Sequence, residues 1–406
     1  MPKVSRNSSS TRLKERDKTD SLSLSRLFPQ SSSGAPFDFQ SRTRLIFGAD
    51  SIQRIGELSR ELGARRVLLV TDSGIVAAGH ADLVRQILET ARLKIAVYDG
   101  VRENPSTRDV SECVAVAKKF KTDFLIGLGG GSSMDTAKGC NFILTNGGDM
   151  KDYWGMGKAK KPMLPMIAVP TTAGTGSEMQ SAALISDEVT HQKMACLDHK
   201  AAARIAILDP ELTLSQPRRV TACTGIDAIA HAVESAVTKK RNPLSLMFAH
   251  KAFELCSTSF GKILREPLDV EARGKMLLGA AFAGLAIENS MLGAAHSAAN
   301  PLTAHFGVVH GEAVGLMLPH VVAFNAKDPV AADAYFQMGR MNAASLVKFL
   351  RSLLKIAELP EKLSETGVKR TKLLTLAEEA AQQWTAGFNP RPIGKADFLK
   401  LYEAAF

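Results

Sequence analysis

Five short apolar runs recur in the first half of the chain: RRVLLVTD (65–72), KIAVYDG (94–100), DFLIGLGG (123–130), PMIAVPTT (165–172) and ARIAILD (203–209). Each is close to continuous in Val, Ile, Leu and Ala and stops at turn-favouring residues. A strand reads this way when both of its faces are covered, so the sheet it joins must carry helices on each side. The stretches between supply them: SIQRIGELSRELG (51–63) and STRDVSECVAVAKKFK (106–121) space their apolar residues as amphipathic helices do. The alternation predicts an α/β fold with a doubly wound, mostly parallel sheet. After PRRV (217–220) it stops, and ACTGIDAIAHAVESAV, SLMFAHKAFELC and ARGKMLLGAAFAGLAIENS predict an all-helical second half. At 406 residues the chain exceeds one compact core, so two domains are expected, 37–215 and 216–406, with a ligand in the cleft between them.

Residues 1–36 fall outside both domains. They carry seven Lys/Arg against Glu15, Asp17 and Asp20 and supply four of the ten net positive charges. Rich in serine and poor in large apolar residues, the segment cannot bury enough surface to fold and reads as a disordered tail. The three acids argue against a mitochondrial transit peptide, and there is no apolar stretch for secretion. The remaining charge is spread over 370 residues, too thinly for a nucleic-acid footprint. No apolar run approaches the roughly 20 residues that span a bilayer. Five dispersed cysteines without a C-x-x-C pair point to reduced thiols in the cytoplasm.

The run FLIGLGGGSSMDTAKG (124–139) reads as strand, glycine turn and helix. Glycines let a backbone approach a ligand closely, and the free N–H groups of a helix start attract an anion. The turn matches neither G-x-G-x-x-G nor a Walker A loop. Two other strand ends strengthen it: VTD places Asp72 where a carboxylate can accept ribose hydroxyls, and PTTAGTGSE (170–178) clusters Thr171, Thr172 and Thr175. Ligands bind open α/β sheets at their carboxyl ends, so the first domain is expected to bind a nucleotide.

In TGIDAIAHAVES (224–235), Asp227 and His231 lie four apart and share one helix face. Alone, such a pair reads as a local hydrogen bond. A second stretch, GAAHSAANPLTAHFGVVHGEAVGLMLPH (293–320), holds four of the nine histidines: His296, His305, His310 and His320. One carboxylate with two or three imidazoles suits Fe(II), Zn(II), Co(II) or Ni(II), and without a thiolate would form an open catalytic site. The second half is therefore expected to be a metal-binding domain.

Taken in order, GGGSSMDTAKG, AVPTTAGTGSE, TGIDAIAHAVES and the His-x13-His stretch ending VVHGEAVGLMLPHV resemble the iron-containing (group III) alcohol dehydrogenases. The resemblance runs from about residue 40 to the C-terminus. It implies a dehydroquinate synthase-like fold and hydride transfer between an alcohol, or its aldehyde or ketone, and NAD, with NADP as the alternative. It implies metal ligands at Asp227, His231, His296 and His310, holding Fe(II) or alternatively Zn(II). It places cofactor contacts at Asp72, Asn104, Gly130, Gly131, Ser132, Ser133, Asp135, Thr171, Thr172, Thr175 and Lys193. A carboxylate at Asp72 would repel a 2′-phosphate, which favours NAD. Many members carry a histidine, discussed as a proton relay, four residues after the third ligand; here that position is Asn300, which cannot titrate. His305 lies nearby as an alternative relay, and reads first as a structural histidine. The resemblance further implies a homo-oligomer acting on a small molecule, with no nucleic-acid or membrane partner. Alternatives inside the fold are a hydroxyacid–oxoacid transhydrogenase, a maleylacetate reductase-like enzyme and a dehydroquinate synthase-like lyase. Outside it stands a non-catalytic nucleotide- or nucleic-acid-binding protein anchored by its basic tail.

Overall fold

All five apolar runs become strands of a single parallel sheet, four of them buried and the fifth, KIAVY, a partly exposed strand at the sheet edge. The computed structural model describes residues 37–190 and 192–406, so the tail assigned to residues 1–36 lies outside the described residues. The strands of the first half are β1 (Arg44–Phe47), β2 (Arg66–Val70), β3 (Lys94–Tyr98), β4 (Phe124–Gly129), β5 (Gly155–Met156), β6 (Met166–Pro170), β7 (Ala182–Ser186), β8 (Lys193–Leu197) and β9 (Ile205–Leu208). Six of them form a sheet in the order β1-β9-β6-β4-β2-β3 with every neighbour parallel, in registers such as Val67 opposite Phe124 and Leu125 opposite Met166. Strand order reverses between β2 and β4, which is where an open α/β sheet leaves its ligand crevice. Four strands were not among the sequence candidates. β1 covers the sheet edge, while β5, β7 and β8 make a small second sheet around an antiparallel β7–β8 pair. Their runs are short and half-exposed, so they lack the continuous apolar signal of the central strands.

Helices α1 (Ile55–Glu61), α2 (Ser73–Ala77), α3 (His80–Thr90), α4 (Thr107–Phe120) and α5 (Gly131–Asn146) cover both faces. Side chains alternate between two cores. Leu68, Val70 and Leu125 join Val110, Ala137 and Cys140 on one side, and Val67, Leu69 and Ile126 join Leu58, Val84 and Leu88 on the other. Each such aliphatic side chain, fully withdrawn from water, contributes about 1.5–3 kcal/mol, which explains why both faces read as apolar. α4 begins where Ser106 predicts, the Ser106 amide donating to Asp109 Oδ2 at 2.7 Å in a capping box.

Beyond Leu208 no strand occurs among the described residues. The chain continues through α6 (Arg218–Ser235), α7 (Pro243–Arg265), α8 (Val270–Glu288), α9 (Ala294–Phe306), α10 (His310–Asn325), α11 (Pro329–Gly339), α12 (Ala343–Ala357), α13 (Leu373–Gln382) and α14 (Lys395–Ala405). α6 is the axis of this half, packed against α7, α8, α10 and α12. Its Ala228, Ala230 and Ala232 are all 0% exposed, and residues this small let four helices approach one. Among the described residues no helix is long and apolar enough to cross a membrane. All five cysteines are buried and free.

Candidate active site

The crevice at the reversal point is built from three strand ends. β2 delivers Asp72, whose Oδ1 accepts the Ile75 amide at 3.1 Å to cap α2 and whose Oδ2 accepts from Ser133 Oγ at 3.4 Å. β4 delivers Gly130, Gly131 and Ser132, and the first turn of α5 starts there with no side-chain cap and no acid. Its N–H groups are therefore available to an anion. β6 delivers Thr171, Thr172 and Thr175. A Cβ on Gly131 would stand 2.7 Å from Thr175 Cγ2, so only glycine lets the two loops meet this closely.

Three further residues are expected at the cofactor. Asp135 is buried and accepts from Ser177 Oγ at 2.8 Å; Lys138 donates to the same hydroxyl at 2.8 Å and to Ser177 O at 2.6 Å, so the pair ties α5 to the threonine loop. Asn104 is exposed, with φ at 53°, in the loop that follows β3. Lys193 opens β8. Burial lowers its pKa while the charges of Asp135, Asp227 and Glu103 oppose the shift.

Glu178 was missed by the sequence reading. It is 1% exposed, its Oε1 has no partner, and burial pushes its pKa to about 7 against its own backbone hydrogen bond and Lys138. A carboxyl raised from 4.5 to about 7 costs the fold nothing below pH 4.5, and the cost grows as pH rises to about 7. Glu178→Gln is therefore expected to stabilise the protein by about 2 kcal/mol at pH 8 and hardly at all at pH 4.5, a difference that urea unfolding at the two pH values measures.

In the second half, α6 supplies Asp227 and His231, α9 supplies His296, and His310 is the first residue of α10. Three imidazole Nε2 atoms converge on Asp227 Oδ1, from His296 at 3.4 Å, His231 at 3.5 Å and His310 at 3.9 Å. The donor atoms of Asp227, His231 and His296 all lie within 4.8 Å of one another, and His310 stands outside this tightest trio. The His231 and His296 rings stack at 4.8 Å and 19°. Asp227 Oδ1 and His296 Nε2 are buried without hydrogen-bond partners. The local Asp–His hydrogen bond is thus not made, and the orphaned atoms face each other around a point that fits a cation.

The charge states of Asp227, His231 and His310 agree with that fit, whereas His296 would have to give up a proton to a metal ion. Although burial raises the Asp227 pKa, His231, His296 and His310 hold it well below the usual carboxylate range. Burial lowers His231, and lowers His310 to about 3 with help from Lys193, His296 and His231. An ionised carboxylate and neutral imidazoles are the forms that ligate metal. Burial alone would lower His296 too, but Asp227 and Glu234 raise it to about 9. His310 is the most open member, 24% exposed against 5–6% for the others.

The other two histidines of the rich stretch do not join. His305 Nε2 pairs with Glu379 at 2.8 Å on the exposed side. His320 is held low, to about 4, by burial and by Arg351. Asn300 donates to Gln383 Oε1 at 3.0 Å, so that position is an amide pair in which neither partner titrates.

Two family models match the chain: iron-containing alcohol dehydrogenase over residues 42–210, and the C-terminal region of the Fe-containing alcohol dehydrogenase family over 221–406. Alcohol dehydrogenase 4 of Schizosaccharomyces pombe is 35% identical over 352 residues, covering 85% of this chain and 83% of the relative. The solved alcohol dehydrogenase from Oenococcus oeni superimposes with a TM-score of 0.88 at 31% identity, over 91% of this chain and 100% of that one. Sulfoacetaldehyde reductase from Bifidobacterium kashiwanohense, solved with NAD+, superimposes with a TM-score of 0.84 at 26% identity, over 92% of this chain and 99% of that one.

Proposed function

We propose that this chain, which belongs to the iron-containing alcohol dehydrogenase family, holds one iron(II) ion between Asp227, His231, His296 and His310 and NAD along the ends of β2, β4 and β6. It is an oxidoreductase, an iron-type alcohol dehydrogenase that exchanges hydride between an alcohol and the nicotinamide cofactor. The observation that supports the metal reading is Asp227 Oδ1, a buried oxygen without a hydrogen-bond partner on which three imidazole nitrogens converge. Zn(II) satisfies the same donor set.

When bound, the ion polarises the substrate oxygen and the nicotinamide exchanges hydride with the carbon that bears it. The chain's own contribution is positional. Asp227 supplies the negative charge, and three helices fix the imidazoles around it. The more exposed His310 side leaves room for a substrate to approach. Lys193 is half-buried and feels the carboxylates of Asp135 in the first half and Asp227 in the second. Asn300 and Gln383 can orient a hydroxyl or a water but cannot carry the proton. The substrate class is a small primary or secondary alcohol, or the matching aldehyde or ketone. We assign the domain boundary to about residue 215, in the segment that joins β9 to α6. Free buried thiols favour a reducing compartment such as the cytoplasm, and the family reading favours a homo-oligomer.

An anaerobic NAD-reduction screen over alcohols, diols and hydroxyacids, with Fe(II) or Zn(II) supplied, tests the reading. Metal-dependent NADH formation from an alcohol is expected, and none from any alcohol with either metal would refute it. Cofactor choice has its own test. Asp72→Gly keeps an acceptable helix N-cap at a cost of a few tenths of a kcal/mol. It removes a charge that repels a 2′-phosphate by several kcal/mol at about 4 Å. The NAD-over-NADP ratio of kcat/KM is expected to fall by at least about tenfold, and an unchanged ratio would misplace the ribose.

A further inference from the structure

Glu234 lies on α6 three residues after His231 and seven after Asp227, on the same helix face, and is 3% exposed. A carboxylate buried this deeply is retained only if its oxygens are occupied. Three donors occupy them. The Ala295 amide donates to Oε1 at 2.6 Å, and the Gly293 amide donates to Oε2 at 3.1 Å. His296 Nδ1 reaches the same Oε2 at 2.6 Å.

We infer that Glu234 is a positioning residue for the metal site: its carboxylate fixes the His296 ring with Nδ1 as hydrogen-bond donor and Nε2 as the free lone pair facing Asp227. The inference rests on the metal assignment above and adds a residue to it. Two of the three donors are main-chain N–H groups and cannot become acceptors, so the group between them must be acceptor-only. A carboxylate is the side chain that meets this condition with both oxygens. The orientation of Glu234 is therefore imposed by the start of α9, independently of the imidazole. With Nδ1 committed to donating, a neutral His296 keeps its lone pair on Nε2, the atom found without a partner 3.4 Å from Asp227 Oδ1.

A glutamine has the same shape but one oxygen fewer. If its NH2 faces His296, the ring must accept at Nδ1 and carry its proton on Nε2, where the metal belongs. If it faces Ala295 instead, two donors meet at the helix start. Either way the preset tautomer is lost.

The experiment titrates Co(II), in competition with a chelator, into wild type, Glu234→Gln and His296→Ala. Thermal unfolding and NAD affinity serve as fold controls. Glu234→Gln is expected to bind Co(II) about 10–100-fold more weakly, with an altered visible absorption spectrum at saturation, while NAD affinity stays at the wild-type value. Wild-type Co(II) affinity and spectrum in Glu234→Gln, with loss of binding in His296→Ala, would overturn this inference and leave the metal assignment standing. Undiminished binding in both variants would overturn the metal assignment itself. Should Glu234→Gln not fold, 15N-histidine NMR of the Zn(II)-loaded wild type decides, with His296 identified by its signal's absence in His296→Ala. A protonated Nδ1 and a metal-shifted Nε2 are expected, and a metal-shifted Nδ1 would overturn the inference.

Discussion

Asp227→Asn is expected to abolish metal retention and to lower alcohol-dependent NAD reduction by about 10³-fold or more. The substitution keeps the side chain's volume, so the packing of α6 against α7, α8 and α10 is undisturbed. It removes the one carboxylate on which three imidazoles converge, and with it the negative charge that offsets a divalent ion. Metal activation of a substrate oxygen is worth several kcal/mol, and each 1.36 kcal/mol is a factor of ten in rate. The fold is expected to survive because Glu234 keeps its hydrogen bonds to Ala295, Gly293 and His296. Metal content after desalting and the NADH formation rate check both halves of the statement. Stoichiometric metal with undiminished turnover would remove Asp227 from the site.

Gly311→Ala is expected to destabilise the protein by about 3 kcal/mol and to weaken metal binding at the same time. Gly311 follows His310 in the first turn of α10, where that helix crosses α6. A Cβ there would fall inside the carbonyl oxygen of Cys223 and within 2.7 Å of its carbonyl carbon. The obstacle is main chain, which cannot rotate away, so α10 must move back and take His310 with it. Cys223 stands one helical turn before Asp227, so the displacement acts directly on the His310–Asp227 separation of 3.9 Å. Gly394→Ala, which meets nothing within 4 Å, is the matched control. Urea unfolding and the Co(II) half-saturation point measure the two effects, and wild-type stability in Gly311→Ala would show that the helices do not meet this closely in solution.

How much of this was readable in the residues depends on how local each signal is. The four central strands announce themselves because burial on both faces makes them continuously apolar, and β3 reads as apolar although it lies at the sheet edge and is partly exposed. β7 and β8 do not: β7 alternates in burial and is held mainly by pairing with β8, a contact that no window along the chain contains. Asp227 and His231 were readable from helical spacing, and Glu234, on the same face, could have been found by extending that face one turn. His296 and His310 could be suspected from histidine density, but the same density pointed at His305 and His320. What separates the two pairs is how α9 and α10 fold back on α6, which depends on tertiary packing. Lys193 reads as an ordinary surface cation, and only the approach of β8 to the junction of the two halves gives it acidic neighbours. Asn300 was visible as a departure from the family pattern, whereas its partner Gln383 is 83 residues away.

The most direct test of the central claim is anomalous diffraction at the iron absorption edge from crystals grown anaerobically with Fe(II) and NAD. A single iron peak bounded by Asp227, His231, His296 and His310 is expected. Iron bound at one equivalent in solution but located anywhere else in the crystal would contradict the assignment.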